Sequence, residues 1–193
     1  MKKSMKLTEI LITVMIAVAF GLVYILWGTL YYALKPLGLQ MDQFIYGMWF
    51  IAAPVAFLII RKPGVALLAE IAAASGEFLL GSAWGLTILL YGVVQGLFFE
   101  FVLMAFKYKK FNIGVMILGG LAAAAGSVIM DYYYGEIGSL SAWNLTLFMI
   151  ARFLGGALFA GVLPYYLVKA LEATGVTNLV RPATDKDYDT LNQ

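Results

Sequence analysis

Two glutamates, Glu70 and Glu77, stand in an otherwise apolar run of alanine, glycine and leucine between Val65 and Leu80. Seven residues at 100° each return to the same side of an α-helix, so the carboxylates share one face to within about 20° and lie roughly 10.5 Å apart along the axis. Between them that face offers only Ala73 and Ala74. Two acids separated by a small-residue floor describe a recess that a flat molecule could enter. Acids inside an apolar span are costly and are functional candidates by default. The competing reading is that both simply hydrogen-bond neighbouring helices. If they bind a ligand, Glu77 is expected to carry more of the binding, because its end of the helix lies nearer the aromatic residues.

The chain around them is too apolar for a soluble domain. Its 193 residues are 63% hydrophobic and 12% charged, with a mean hydropathy of +0.89. That composition is the signature of an integral membrane protein. Cysteine and histidine are both absent, which excludes a disulfide framework, a Ser-His dyad and a histidine-ligated metal. No G-x-x-x-x-G-K-[ST] run is present, so the chain cannot hydrolyse ATP by itself. Nucleic acid is not an expected partner.

Apolar runs over about 10–27, 44–60, 65–80, 86–106, 113–130 and 143–169 predict an all-α bundle of six transmembrane helices. They form one substrate-binding domain over 1–171, followed by a polar tail over 172–193. Apart from Lys35 and Arg152, every Lys and Arg falls at the N-terminus, in the second-to-third and fourth-to-fifth loops, or towards the C-terminus. This bias places both termini, and the tail, in the cytoplasm. Tyr31, Tyr46, Trp49, Glu77, Trp84, Tyr91 and Asp131 then gather towards the outer ends of the helices, with Gln95 and Arg152 deeper. Tyr91 and Gln95 share one helical face, and Glu100, rotated away from them, is assigned to packing or partner contact.

Together with Glu70, the expected substrate-binding set is Glu77, Glu70, Gln95, Tyr46, Trp49, Trp84, Tyr91, Asp131 and Arg152. Aromatic rings stack on planar heterocycles and attract cations, and carboxylate and amide groups match an aminopyrimidine edge. The implied ligand is flat and nitrogen-rich. In the first span Thr13, Ala17 and Gly21 recur at i, i+4 and i+8. That stripe is small enough for another backbone to approach, either inside the bundle or from a partner protein.

Three stretches carry a resemblance. Tyr46-Gly47-Met48-Trp49-Phe50, the segment from Arg61-Lys62-Pro63-Gly64 through Glu70 and Glu77 to Leu80-Gly81, and Gly92-Val93-Val94-Gln95-Gly96 with Glu100 resemble the YkoE family. These are substrate-binding S-components of energy-coupling factor (ECF) transporters, associated with thiamin and its hydroxymethylpyrimidine precursor. The resemblance implies a six-helix protein of the cell membrane that captures vitamin from outside and works with a transmembrane T-component and two ATPases. It implies no enzymatic activity and no cofactor beyond the transported ligand. S-components commonly carry an A-x-x-x-A motif on the first span that contacts the T-component, and here Ala17 and Gly21 occupy those places. Metal-transporting relatives need an N-terminal histidine, whose absence argues against nickel or cobalt. Two rivals from other classes are a proton-coupled secondary transporter with Glu70 and Glu77 as relay, and a small membrane enzyme using the pair as acid and base.

Overall fold

The structure, a computed structural model, describes residues 5–135 and 137–179 and is all-helical among them. Glu136, the first lysines and most of the 172–193 tail lie outside the described residues. Helix α1 (Leu7–Leu34) is followed by a short 3-10 turn and α2 (Met41–Ile45). A 3-10 segment over Tyr46–Phe50 leads into α3 (Ala52–Ile60), then α4 (Val65–Leu79) and α5 (Thr87–Ala105). Next come α6 (Ile113–Tyr134), α7 (Ala142–Ala157), a π-helical turn over Leu158–Val162, and α8 (Leu163–Ala173).

Among the described residues, five stretches are long and apolar enough to cross a membrane: Leu7–Leu37, Met41–Ile60, Thr87–Ala105, Ile113–Tyr134 and Ala142–Ala173. The protein is a multi-pass membrane protein. Helix α4, the third of the expected spans, has only 15 residues, or about 22 Å at 1.5 Å per residue. It nonetheless packs inside the bundle, between α1 and α5.

The expected second span is no continuous helix. It begins at Met41, inside the stretch read as a loop, and breaks between α2 and α3. Pro54 in the first turn of α3 has no N–H to give to the preceding turn. At Gly47 an added Cβ would run into the Gly155 backbone of α7, so the chain is pressed against its neighbour where it bends. Backbone groups freed at such a depth must find partners within the protein. Trp27 Nε1 donates to the Ile45 carbonyl at 2.9 Å, and the Ala52 N–H donates to Tyr24 Oη at 3.1 Å. The Ala53 N–H donates to Glu70 Oε2 at 3.1 Å, while Tyr24 Oη donates to Glu70 Oε1 at 3.0 Å. Glu70 is thus a cap supplied by α4 for the buried start of α3. Glu100 does the same for α4, accepting from the N–H groups of Gly64 at 2.6 Å and Leu67 at 3.2 Å. Beyond α5, burial and a hydrogen bond to Glu100 push the Tyr108 phenol well up from its ordinary value.

Two sequence expectations are corrected together. The Ala73–Ala74 floor is not an open recess, and the Thr13, Ala17 and Gly21 stripe does not face outwards. All five residues are buried. A Cβ on Gly21 would lie 3.0 Å from the Ala73 carbonyl oxygen, and one on Gly92 of α5 would lie 2.5 Å from the Ala74 methyl. Small faces attract each other because they let backbones approach closely. The stripe and the floor are therefore two sides of internal seams. Ala17→Trp should cost about 1–3 kcal/mol by overpacking, read as a lower unfolding midpoint of the isolated chain in detergent. An unchanged midpoint would place Ala17 on an outer face.

Candidate functional site

At the end of the bundle opposite Lys62 and Lys107, the helix termini surround a cavity of about 460 Å³. Tyr31 enters from the last turns of α1, Asp42 and Gln43 from α2, and Tyr46 from the 3-10 segment. Trp84 comes from the α4–α5 turn, Tyr91 from α5, Asp131 from α6, and Phe148 and Arg152 from α7. Residues 42, 43 and 46 stand at i, i+1 and i+4, within about 100° of one another around a helix, and all three reach one wall.

Arg152 organises the polar wall. It is 1% exposed, and its Nη2 faces Asp131 Oδ2 at 2.8 Å. The same nitrogen donates to Gln43 Oε1, and Nη1 donates to Ser127 Oγ at 2.6 Å. Its guanidinium lies 3.6 Å from the centroid of the Tyr46 ring and 4.7 Å from that of Phe148, stacked where a cation is favoured. The network continues outwards at both ends. Tyr91 Oη donates to Asp131 Oδ1 at 2.8 Å. Gln43 Nε2, its orientation fixed by Arg152, donates to Tyr31 Oη and to Asp42 Oδ2, both at 2.8 Å.

The aromatic wall is built around Tyr31. Its ring meets Tyr46, Trp49 and Trp84 edge-on at centroid distances of 6.1, 5.5 and 6.1 Å. Trp49 stands one layer behind the cavity, and there its indole N–H donates to Glu77 Oε2 at 3.1 Å. Ser82 Oγ donates to Glu77 Oε1 at 3.2 Å.

Of the sequence-expected set, Tyr46, Trp84, Tyr91, Asp131 and Arg152 meet on the cavity lining. Trp49, Glu77, Glu70 and Gln95 are buried outside that lining. Glu77 acts on the wall only through Trp49, and Glu70 holds α3. Gln95 lies one turn below Tyr91, and its amide nitrogen has no hydrogen-bond partner among the described residues. Asp42, Gln43, Ser127 and Phe148 belong to the site and were missed. The signal was in the chain, since Asp42 and Gln43 directly precede the apolar Phe44-Ile45, but Pro36 and Gly38 drew the loop boundary past them.

A cavity of this size and lining, sunk into one end of a helical membrane bundle, is the architecture of a small-molecule-capturing membrane subunit. Comparison with known proteins bears this out. Residues 8–126 match the family described as ABC-type cobalt transport system, permease component. The chain is 37% identical over 177 residues to a Bacillus subtilis (strain 168) protein described as an HMP/thiamine permease protein, YkoE, covering 91% of this chain and 89% of that one. A crystal structure of an S-component of an ECF transporter superimposes with a TM-score of 0.88 at 35% identity, covering 98% of this chain and 95% of the other. The chain belongs to the YkoE family of ECF-transporter S-components.

Removing one member of a buried ion pair strands the other and typically costs about 3–5 kcal/mol. Arg152→Met should therefore destabilise the fold by about that amount in mixed-micelle unfolding, and adding Asp131→Asn to it should restore a large part. Equal losses for the single and double variants would show that the two groups are not coupled.

Proposed function

We propose that this chain captures thiamin, or its hydroxymethylpyrimidine moiety, from outside the cell and hands it to a T-component driven by two ATPases. The observation that carries the reading is the cavity itself. About 460 Å³ lies within the range of small-ligand sites, and its walls combine stacking rings with a chain of fixed donors and acceptors. Tyr31, Tyr46 and Trp84 supply planar faces for a heterocycle. Gln43, Asp131 and Tyr91 supply the polar edge that an aminopyrimidine would meet. The Bacillus subtilis relative's description as an HMP/thiamine permease supports this ligand class. The cobalt in the family description fits less well, because the chain has neither histidine nor cysteine and metal-transporting relatives depend on an N-terminal histidine.

In this reading α4 also spans the membrane, which brings the count to six, and both termini lie in the cytoplasm. The Lys- and Arg-rich loops at 61–62 and 107–110 are at the bundle end opposite the cavity, which the positive-inside bias assigns to the cytoplasm. Since Thr13, Ala17 and Gly21 are buried within the bundle, with Gly21 against α4, the T-component contact belongs to another surface.

Calorimetry on the detergent-solubilised chain tests the ligand. Trp84→Ala should weaken thiamin binding by roughly 5- to 150-fold, the worth of a lost stacking wall of about 1–3 kcal/mol. Unchanged affinity would move the ligand out of this cavity. Uptake in cells should need co-expressed T-component and ATPases. Uptake by this chain alone, abolished by dissipating the proton gradient, would establish the secondary-transporter rival instead. Topology is read separately by cysteine labelling, which the cysteine-free background allows. Position 84 should react with an impermeant maleimide from outside and position 109 should not, and the reverse pattern would invert the bundle.

A further inference from the structure

Among the described residues, the cavity holds one carboxylate that its own cations leave unneutralised. Asp131 and Arg152 face each other at 2.8 Å, and their charges cancel. Asp42 is 5% exposed, lies on the cavity wall, and takes part in no ion pair among the described residues. The hydrogen bond it receives from Gln43 Nε2 comes from a neutral amide. Lys35 also reaches the lining, but from an exposed position on the rim, where water and salt screen it.

A carboxylate held out of water without a cation is costly, and the cost is recovered when a cation arrives in contact with it. The surroundings of Asp42 favour that arrival. Tyr31 shares the Gln43 amide nitrogen with Asp42, and the Tyr31 ring packs against Tyr46 and Trp84. A positive ring seated here would meet both a carboxylate and electron-rich aromatic groups.

We infer that Asp42 is the specificity-determining anion of the cavity, and that it recognises a fixed positive charge on the ligand. The inference rests on the proposed function and sharpens it. Thiamin carries a permanently cationic thiazolium, whereas free hydroxymethylpyrimidine is uncharged at neutral pH. Asp42 therefore selects the whole vitamin over its pyrimidine part, while the remaining walls serve both.

Calorimetry with three ligands tests this: thiamin, hydroxymethylpyrimidine, and 3-deazathiamin, in which a carbon replaces the charged nitrogen. The wild-type chain should bind thiamin more tightly than 3-deazathiamin by roughly 10- to 150-fold, the range for a lost charge-assisted contact. Asp42→Asn should abolish that difference and leave hydroxymethylpyrimidine affinity within about threefold, which also reports an intact fold. Asp42→Glu should keep the preference for the cation. Equal affinity of the wild-type chain for thiamin and its neutral analogue would overturn the inference without any variant. So would an Asp42→Asn chain that loses all three ligands equally while Asp42→Glu regains them without charge preference. Binding of none of the three by the wild-type chain would overturn the vitamin reading itself, and this inference with it.

Discussion

A guanidinium buried in a membrane bundle must be neutralised by groups that cannot move away. Arg152 meets that requirement through Asp131, Gln43, Ser127 and the Tyr46 ring. These partners come from α6, α2 and the 3-10 segment, so satisfying one side chain ties three stretches of chain to α7. The cavity is the space left beside that knot. Its polar wall is rigid because each member already has a job: Gln43 cannot flip without forfeiting its bonds to Arg152 and Tyr31, and Asp131 cannot turn away without stranding a charge. A ligand entering such a site finds donors and acceptors already aimed, which lowers the ordering cost of binding.

The same economy explains the broken second span. A continuous helix would have satisfied its own backbone; here the chain bends where Gly47 is pressed against the Gly155 backbone, with Pro54 just beyond. The break exposes N–H and C=O groups, and Tyr24, Trp27 and Glu70 meet them from α1 and α4. Glu70, the most conspicuous acid in the sequence, is thus spent one layer away from the ligand. Glu77 similarly fixes Trp49, which in turn packs against the cavity's tyrosines. Intramembrane acids are functional here in an indirect sense, since they shape the wall from behind.

Much of the architecture was legible from the chain. Hydropathy located the apolar spans, and the facing of Glu70 and Glu77 with Ala73 and Ala74 followed correctly from helical phase. Aromatic residues at the helix ends marked the cavity's location, and Tyr46, Trp84, Tyr91, Asp131 and Arg152 were all chosen before their meeting could be seen. What a single sequence could not show was which partner each surface takes. A small-residue face looks the same whether a ligand, a foreign helix or a neighbour covers it, so the sequence left the α1 stripe open between bundle and partner and described the α4 floor as a ligand recess, when both belong to the bundle's own seams. Asp42 and Gln43 were lost for a different reason. Their helix is only five residues long and follows two non-glycine residues at positive φ, Leu39 and Gln40, a local geometry that periodicity does not encode.

The π turn at Leu158–Val162 gives the last span two phases instead of one. Pro164 can donate no N–H to the preceding turn and would crowd the Ala160 carbonyl in a regular α-helix; the wider turn accommodates it with one residue more than an α-helix needs. That residue sets the rotation of α8 relative to α7. The width of that turn therefore decides which residues of α8 meet the core. In a regular α-helix of the same length, without the wider turn, Arg152 would still face the cavity while α8 would be rotated by about 100° about its axis. Val168, now 2% exposed, would turn out of the bundle, and Glu172 would leave its 3.1 Å pairing with Arg61. The two ends of this span are indexed separately, so the cavity end can keep its register while the opposite end is rephased.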